Sequence, residues 1–414
     1  MKYGLTVILM TALCVGFSMN ISADDIPSGV PSENGFDNSK LEKIKPMLQS
    51  MVDRHQTAGI VWLIARKGKV IQNDSVGMMD ISAGKPMQLD TIFRIYSMTK
   101  PITTTAAMML LEEGRFQLDD PVSKYLPELK DLRVWSGKGE ETVTASREMT
   151  IRDLMRHTSG FSYGMSNSTF VDKLYHTNRI GDGNDTLADL VTKLGKIPLQ
   201  YQPGKRFNYS VSTDVLGRLI EVVSKKPLDE FFQERIFTPL DMRDTGFFVP
   251  DDKVGRFAAN MGPGSEKGTL KVIDAPATSR FRKKPKYLSG GGGLVSTARD
   301  YLRFSQMILN GGELQGRRLL KAETVKQMLT NQLPSEAMPM NLGGIPVPGM
   351  GFGLGFSVKM DDTAEAGWSG AASTFFWISP KKELVIIALE QYMPLSLRLE
   401  LAFKPRVYSA IQKE

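Results

Sequence analysis

Strand-forming segments lie near both ends of this 414-residue chain, and a long region of helical patterns separates them. Residues 59–80 contain two apolar strand patterns around a Lys67-Gly68-Lys69 turn, which predicts a hairpin. Strand patterns return only after residue 350, at residues 351–360, 373–380 and 384–391. The chain therefore predicts an α+β fold: an antiparallel sheet built from both chain ends and flanked by helices, with an inserted helical domain.

The first 23 residues have the pattern of an export signal. Lys2 precedes an apolar run over residues 5–17, and a cleavage point follows Ala23. The run is too short for a membrane span, so we expect an exported protein, periplasmic or secreted, with no transmembrane segment. The single cysteine, Cys14, lies within this segment and lacks the flanking residues of a lipoprotein signal. The mature chain is thus expected to have no disulfide.

Charge and composition exclude several other classes of function. The formal net charge of +7 is mostly diffuse, and we interpret the one basic cluster, residues 280–286, as a solvated loop. An exported chain without a recognisable binding module is not expected to bind nucleic acid. The three histidines, His55, His157 and His176, are scattered along the chain. The pattern therefore supports neither a metal site nor a cofactor.

A serine and a lysine precede a helical pattern that is apolar almost all round, which predicts a buried central helix. Ser97 and Lys100 are three residues apart, and Pro101 follows them in what would be the first turn of the helix. A helix start offers free N–H groups, and residues at i and i+3 face the same side, so the amine can approach the hydroxyl. The local pattern alone leaves two interpretations open: a nucleophile with its activator, or a helix cap with a surface charge.

A second serine, Ser162, stands in a Gly-x-Ser-x-Gly pattern at residues 160–164. The lipase nucleophile elbow with this pattern needs a strand before it and a helix after it. Here a helical pattern precedes the serine and a polar stretch follows it. The one downstream histidine, His176, follows no apolar strand, and we interpret Ser162 as a residue without a catalytic role.

Two later segments change the interpretation of Ser97. Tyr209 precedes a helical pattern, and Trp368-Ser369-Gly370 begins a strand pattern. Together with Ser97 and Lys100 they resemble the three ordered motifs of the serine β-lactamase and penicillin-binding-protein superfamily. Within it, the chain most resembles the class C β-lactamase-like esterases, or family VIII carboxylesterases, from about residue 38 to the C-terminus.

The resemblance implies a role for each of these positions. Ser97 would be the acylated nucleophile, Lys100 its activating partner, and Tyr209 the group that exchanges a proton with Ser97 and the leaving group. The backbone N–H groups of Ser97 and Ala371 would stabilise the oxyanion. Whether Lys100 or Tyr209 is the general base stays open. His157 resembles a family signature and is interpreted as structural.

Two positions depart from the class C pattern and point to the substrate. Val211 stands where the second motif ends in Asn, and Trp368 stands where the third begins with Lys. The departures remove an amide and a cation that would hold a β-lactam amide and carboxylate. An indole suits neutral or aromatic esters, and Trp368, Ser369 and Gly370 with Val211 are the expected substrate-site residues. We therefore expect a serine hydrolase that cleaves small-molecule esters.

Two other functions remain open on the sequence alone. One is a class C-type β-lactamase, D-aminopeptidase or D,D-peptidase that acts on β-lactams or peptidoglycan-like amides. The other is a catalytically inactive penicillin-binding-like protein. In either case residues 24–95 and 290–414 would form the sheet-containing part, and residues 96–289 the mainly helical part that carries the Ser-x-x-Lys and Tyr motifs.

Overall fold

The computed structural model describes residues 26–165, 168–361 and 363–412, and the predicted export signal lies outside them. None of the helices in these ranges is both long enough and apolar enough to cross a membrane. The α-helices of the described chain are α1 (Asn38–Leu41), α2 (Ile44–Asp53), α3 (Thr99–Glu112), α4 (Ile151–Met155), α5 (Phe170–Thr177), α6 (Leu187–Leu194), α7 (Ser212–Ser224), α8 (Leu228–Phe232), α9 (Ala298–Leu309), α10 (Ala322–Met328) and α11 (Arg398–Ala410).

The strands are short except for the N-terminal hairpin. In chain order they are β1 (Gly59–Arg66), β2 (Lys69–Asp80), β3 (Lys85–Pro86), β4 (Phe93–Arg94), β5 (Arg133–Trp135), β6 (Thr142–Thr144), β7 (Asn260–Pro263), β8 (Leu270–Asp274), β9 (Val295–Ser296), β10 (Glu313–Leu314), β11 (Arg317–Arg318), β12 (Asn341–Leu342), β13 (Ile345–Pro346), β14 (Met350–Phe352), β15 (Ser357–Lys359), β16 (Ala366–Ser369), β17 (Phe375–Ser379) and β18 (Leu384–Leu389).

One antiparallel sheet joins the two ends of the chain. Its strand order is β14-β15-β16-β17-β18-β1-β2-β3, so the C-terminal strand β18 lies beside the N-terminal strand β1. The register pairs Val61 with Leu389 and Arg66 with Leu384. Every residue of β1 and β18 is buried, and two such strands are stable only at the centre of a covered sheet. The predicted α+β layout, with a sheet from both chain ends, is confirmed.

Helices cover both faces of this sheet. On one face α2 and α11 enclose a core that includes Trp62, Phe375 and Phe403. On the other face α9 packs against β1 and β18, and the main core continues from there into the helices between residues 99 and 237. The boundaries that the sequence suggested between a sheet part and a helical part stay predictions.

Helix α3 runs through the centre of the main core. Its residues from Thr99 to Leu110 are all buried, and Gly114, with φ of 69°, stands just beyond its end. It packs against α7, the helix that follows Tyr209. The sequence predicted a buried central helix here, and the contacts of α3 bring its first turn close to the start of α7.

Candidate active site

Ser97 lies in a short 3-10 turn, Tyr96–Met98, between β4 and α3. Tyr96 has φ of 41°, a left-handed backbone conformation that is strained for a residue with a bulky side chain. Just before it, the fully buried Arg94 fixes the segment, because its guanidinium donates to Asp274 Oδ2 at 2.7 Å and to the Ala258 carbonyl at 2.7 Å. The position of the serine hydroxyl is therefore set by contacts on its N-terminal side as well as by α3.

Lys100 is completely buried beside that hydroxyl. Its Nζ lies 3.2 Å from Ser97 Oγ and donates to the Gly291 carbonyl at 2.6 Å. The i, i+3 spacing puts both side chains on one side of the first helical turn. Burial excludes the interpretation of Lys100 as a surface charge, since an ammonium that extended into water would not be fully buried.

Tyr209 reaches the same point from the segment that precedes α7. The Lys100 Nζ lies 4.5 Å from the centroid of its ring, which is a cation–π distance. In the described part of the chain no hydrogen bond joins Ser97 directly to Tyr209, and Lys100 lies between them. The structure thus brings all three predicted catalytic residues together, with the lysine as the central group.

Trp368, near the C-terminal end of β16, forms one side of the site. Its indole Nε1 donates to the Tyr209 hydroxyl oxygen at 3.1 Å, and the two ring centroids are 5.2 Å apart. Phe352 contacts the indole edge-to-face at 5.3 Å. The sequence assigned Trp368 to the substrate, and nothing in the pattern indicated that its N–H would be engaged by the tyrosine.

The other residues of the third motif have distinct positions. Side chains alternate along a strand, and the Ser369 hydroxyl points to α11, where it donates to Glu400 Oε2 at 3.2 Å. Gly370 is buried so closely against the segment before Ser97 that a Cβ would come within 2.3 Å of the Ile95 carbonyl oxygen. In the described chain neither Ser97 nor the half-buried Ala371 donates its backbone N–H to a protein acceptor. The absence of a Cβ at Gly370 therefore lets the turn that carries Ala371 lie against the segment before Ser97, so the two predicted oxyanion donors come from adjacent segments.

Val211 belongs to the apolar core. It is 3% exposed, it immediately precedes α7, and its N–H donates to the Ser162 carbonyl at 3.3 Å. The structure therefore places this predicted substrate-site residue in packing contact with the core beneath Tyr209.

Two aromatic groups that the sequence did not assign to the site complete its wall. The Tyr163 ring lies 5.4 Å from Lys100 Nζ and 5.3 Å from the Tyr209 ring. Burial, and then the neighbouring Tyr209 and Asp214, raise the pKa of Tyr163 well above its usual range, so it is neutral at pH 7. The one sequence signal for Tyr163 was its place in the 160–164 pattern, and that pattern points to its serine and not to its tyrosine.

The His157 ring contacts the Tyr209 ring at an interplanar angle of 54°. Its ring centroid is 4.8 Å from that of Tyr209, and its Nδ1 lies 3.4 Å from Ser210 Oγ. Burial, followed by the charge of Lys100, lowers the pKa of His157 well below 6.5, and the imidazole is neutral at pH 7. These contacts fit a group that supports Tyr209 through packing.

Ser162 has a hydrogen-bonding role inside the loop after α4. Its hydroxyl donates to Asp172 Oδ1 at 2.7 Å and accepts the Gly164 N–H at 3.0 Å. The one downstream histidine, His176, is exposed on α5. The strand–turn–helix geometry of a nucleophile elbow does not occur here.

Among the residues that the structure describes, no cluster of His, Cys, Asp and Glu side chains is arranged to hold a metal ion.

Comparison with known proteins gives consistent results. The model of the Beta-lactamase family matches residues 44–402. Protein Rv1367c of Mycobacterium tuberculosis is 37% identical over 84% of this chain and 89% of its own length. Esterase EstB of Burkholderia gladioli is 30% identical over 81% of this chain and 84% of its own. The solved structure of EstCE1, described as a hydrolase with promiscuous acyltransferase activity, superposes with a TM-score of 0.77 at 28% identity, over 90% of this chain and 99% of EstCE1.

Proposed function

The chain belongs to the Beta-lactamase family and is a serine hydrolase, and we propose that it cleaves carboxylic esters through an acyl-enzyme on Ser97. The observation that carries this proposal is the buried contact of 3.2 Å between Lys100 Nζ and Ser97 Oγ, beneath the ring of Tyr209. A buried amine within hydrogen-bonding distance of a hydroxyl is the arrangement that activates a serine nucleophile.

The geometry supports a two-step reaction. Ser97 Oγ attacks the ester carbonyl carbon, its proton passes to the Lys100–Tyr209 pair, and the same pair protonates the departing alkoxide so that the alcohol leaves. Water then attacks the acyl-enzyme, gives its proton to the pair, and releases the acid while Ser97 regains its proton. We propose that Lys100 and Tyr209 act as a coupled unit, since Nζ contacts both the hydroxyl and the phenol ring.

The oxyanion of each tetrahedral intermediate would be stabilised by the N–H groups of Ser97 and Ala371. Support comes from the close approach of Gly370 to Ile95, which brings the turn after β16 to the segment before Ser97. Removing one such donor typically costs about 10²–10³ in rate.

The proposed preference for esters over β-lactams rests on Trp368 and the aromatic groups beside it. The indole N–H is engaged by Tyr209, and the side chain offers no cation for a substrate carboxylate. The aromatic wall of Tyr163, Tyr209 and Trp368 favours neutral apolar groups. EstB and EstCE1 carry the names of an esterase and a hydrolase, which agrees with this choice.

A substrate panel with a matched variant tests the proposal. The purified protein is assayed on a neutral short-chain aryl ester and on a chromogenic cephalosporin, with Ser97→Ala as the control. We expect a larger kcat/KM for the ester, labelling by a fluorophosphonate in the wild type only, and loss of hydrolysis in the variant. A larger kcat/KM for the cephalosporin would support the β-lactamase or peptidase alternative. Absence of both labelling and turnover would indicate an inactive penicillin-binding-like protein.

Export is also part of the proposal. The charged and apolar pattern of the first 23 residues supports cleavage after Ala23. N-terminal sequencing of the protein from the periplasm or medium of an expressing bacterium should begin at Asp24. Recovery of the protein only in the cytoplasm with Met1 retained would contradict it.

A further inference from the structure

The glycine-rich segment, residues 290–293, lies between the first turns of α3 and α7. The Gly290 carbonyl accepts a hydrogen bond from Thr103 Oγ1 at 2.7 Å, and the Gly291 carbonyl accepts one from Lys100 Nζ at 2.6 Å. The segment therefore holds the lysine through a backbone oxygen. Because that oxygen belongs to a loop, a second contact is needed to fix its position.

Asp214 provides that contact from the first turn of α7. The carboxylate is 2% exposed, and its Oδ1 accepts the Gly291 N–H at 3.1 Å and the Ser289 hydroxyl at 2.5 Å. A Cβ on Gly291 would lie 2.5 Å from Asp214 Oδ2. Gly291 is thus held between two buried side chains: the Asp214 carboxylate accepts its N–H, and Lys100 Nζ donates to its carbonyl.

The electrostatics of the pocket depend on the same carboxylate. In the part of the chain that the structure describes, Lys100 forms no ion pair within 4.0 Å, and Asp214 is the carboxylate that accepts the N–H of the residue whose carbonyl accepts from Lys100 Nζ. The titratable groups that face Lys100 are Tyr163, Tyr209 and His157, and those that face Asp214 are Tyr163 and Tyr287. Burial, followed by Asp214, raises the pKa of Tyr287 well above its usual range, so both tyrosines near the carboxylate are neutral at pH 7.

We propose that Asp214 is a positioning residue of the active site, which holds Gly291 so that its carbonyl fixes the Lys100 side chain at Ser97, and whose carboxylate acts on the Lys100–Tyr209 pair through that residue. The inference rests on the proposed function, in which Lys100 acts on Ser97. The sequence offered no sign of it, because Asp214 lies in an ordinary helical pattern more than a hundred residues from Lys100 and over seventy from Gly291.

Asp214→Asn separates the charge from the shape. The amide oxygen can still accept the Gly291 N–H, but the negative charge is lost. A negative charge favours the protonated form of any group nearby, so its removal lets the Lys100–Tyr209 pair lose its proton more easily. We expect the acidic limb of the kcat/KM profile to move to lower pH by on the order of one pH unit, whichever member of the pair is the base.

Gly291→Ala tests the position of the glycine-rich segment while the Asp214 carboxylate is retained. The new Cβ must displace the loop from Asp214, so the carbonyl no longer holds the lysine. We expect kcat to fall by roughly 10²-fold, which is the usual cost of misplacing a reacting group by about 1 Å, and KM to change less than about threefold. The acidic limb should move less than in Asp214→Asn.

Asp300→Asn is the matched control. Asp300 is also the third residue of its helix, is 1% exposed, and accepts a backbone N–H, that of Asp244, at 2.7 Å. Its substitution is expected to alter the melting temperature and leave the pH profile unchanged. Circular dichroism and melting curves identify any variant that fails to fold, and the two Gly291 and Asp214 variants give independent readouts.

The outcomes distinguish this inference from the proposed function. If Ser97→Ala retains hydrolysis, the proposed function itself fails. If Ser97→Ala is inactive while folded Asp214→Asn keeps the wild-type pH profile and folded Gly291→Ala keeps the wild-type kcat, only the positioning role is overturned. An equal shift of the profile in Asp300→Asn would also overturn it, because the effect would then not be specific to the carboxylate facing Gly291.

Discussion

Replacing Trp368 by Phe would remove one hydrogen bond from Tyr209, the proposed proton-transfer group, and little else. The indole Nε1 donates to the Tyr209 hydroxyl oxygen at 3.1 Å, while the ring packs against Tyr209 at 5.2 Å and Phe352 at 5.3 Å. A phenyl ring can preserve both aromatic contacts but has no N–H. The change therefore isolates the donor.

The expected magnitude depends on the charge that Tyr209 carries in the transition state. A hydrogen bond between neutral groups contributes about 1 kcal/mol, which corresponds to a roughly fivefold effect. A hydrogen bond to a charged oxygen contributes about 1.5–3 kcal/mol, or roughly 10–150-fold. If Tyr209 bears negative charge while a proton is in transfer, the loss falls mainly on kcat. We expect a decrease in kcat of about 10–100-fold and a change in KM below about threefold.

Steady-state kinetics on a neutral short-chain aryl ester measure this effect. Trp377→Phe is the matched control. The Trp377 indole also donates one hydrogen bond, at 2.7 Å, but its acceptor is Glu400 Oε1 on α11 and not Tyr209. The control should be destabilised and keep its kcat. A variant at Trp368 with unchanged kcat, or with a loss confined to KM, would refute the argument that the indole acts through the tyrosine.

Three further predictions concern other positions. Ser162→Ala should keep kcat within about twofold and lower the free energy of unfolding by about 1–3 kcal/mol, since Asp172 loses a buried partner; a loss of turnover with normal folding would contradict its non-catalytic interpretation. Gly370→Ala should reduce kcat by roughly 10²-fold, because a Cβ within 2.3 Å of the Ile95 carbonyl displaces the turn that carries Ala371, and a wild-type rate in kinetics would exclude this geometry. Burial raises the pKa of Glu390 from 4.5 to about 8, so the folded state favours the protonated carboxyl. The stability that this protonated group contributes is fully present below pH 4.5 and is lost as the pH rises through 8. Glu390→Gln should therefore exceed the wild type in unfolding free energy at pH 9 by about 5 kcal/mol at most and match it near pH 4, and parallel melting-temperature curves against pH would contradict this.

Much of the fold could be predicted because its signals are local. The full burial of β1 and β18 follows from continuous apolar runs, and the burial of α3 from an apolar surface on all sides. Helical spacing allowed Lys100 to approach Ser97 but did not decide between a reactive pair and a helix cap with a surface charge, and the structure has their side-chain atoms 3.2 Å apart. Tyr209 entered through the resemblance of ordered motifs, since no local pattern relates it to a serine more than a hundred residues away.

The parts of the site that the sequence missed depend on contacts between distant segments. Asp214 and Tyr163 come from a helix and a loop whose patterns are ordinary. Asp214 accepts the N–H of Gly291, which holds Lys100, and Tyr163 lies beside Lys100 itself, so both depend on the packing of distant segments around α3. Ser369 was expected to face the substrate, whereas the alternation of β16 turns its hydroxyl toward Glu400. Register and strand facing follow from the whole sheet, which no single segment encodes.

The sequence by itself determined the main elements and the side of the chain that Ser97 and Lys100 share, because hydrophobic periodicity and an i, i+3 spacing act within one or two turns of chain. Tertiary structure alone decided which groups surround that pair: a carboxylate behind Gly291, an indole N–H on the phenol, and a neutral imidazole beside it. Electrostatic and hydrogen-bonding effects depend on distances of a few ångströms between side chains, and only the packing of the complete chain sets those distances.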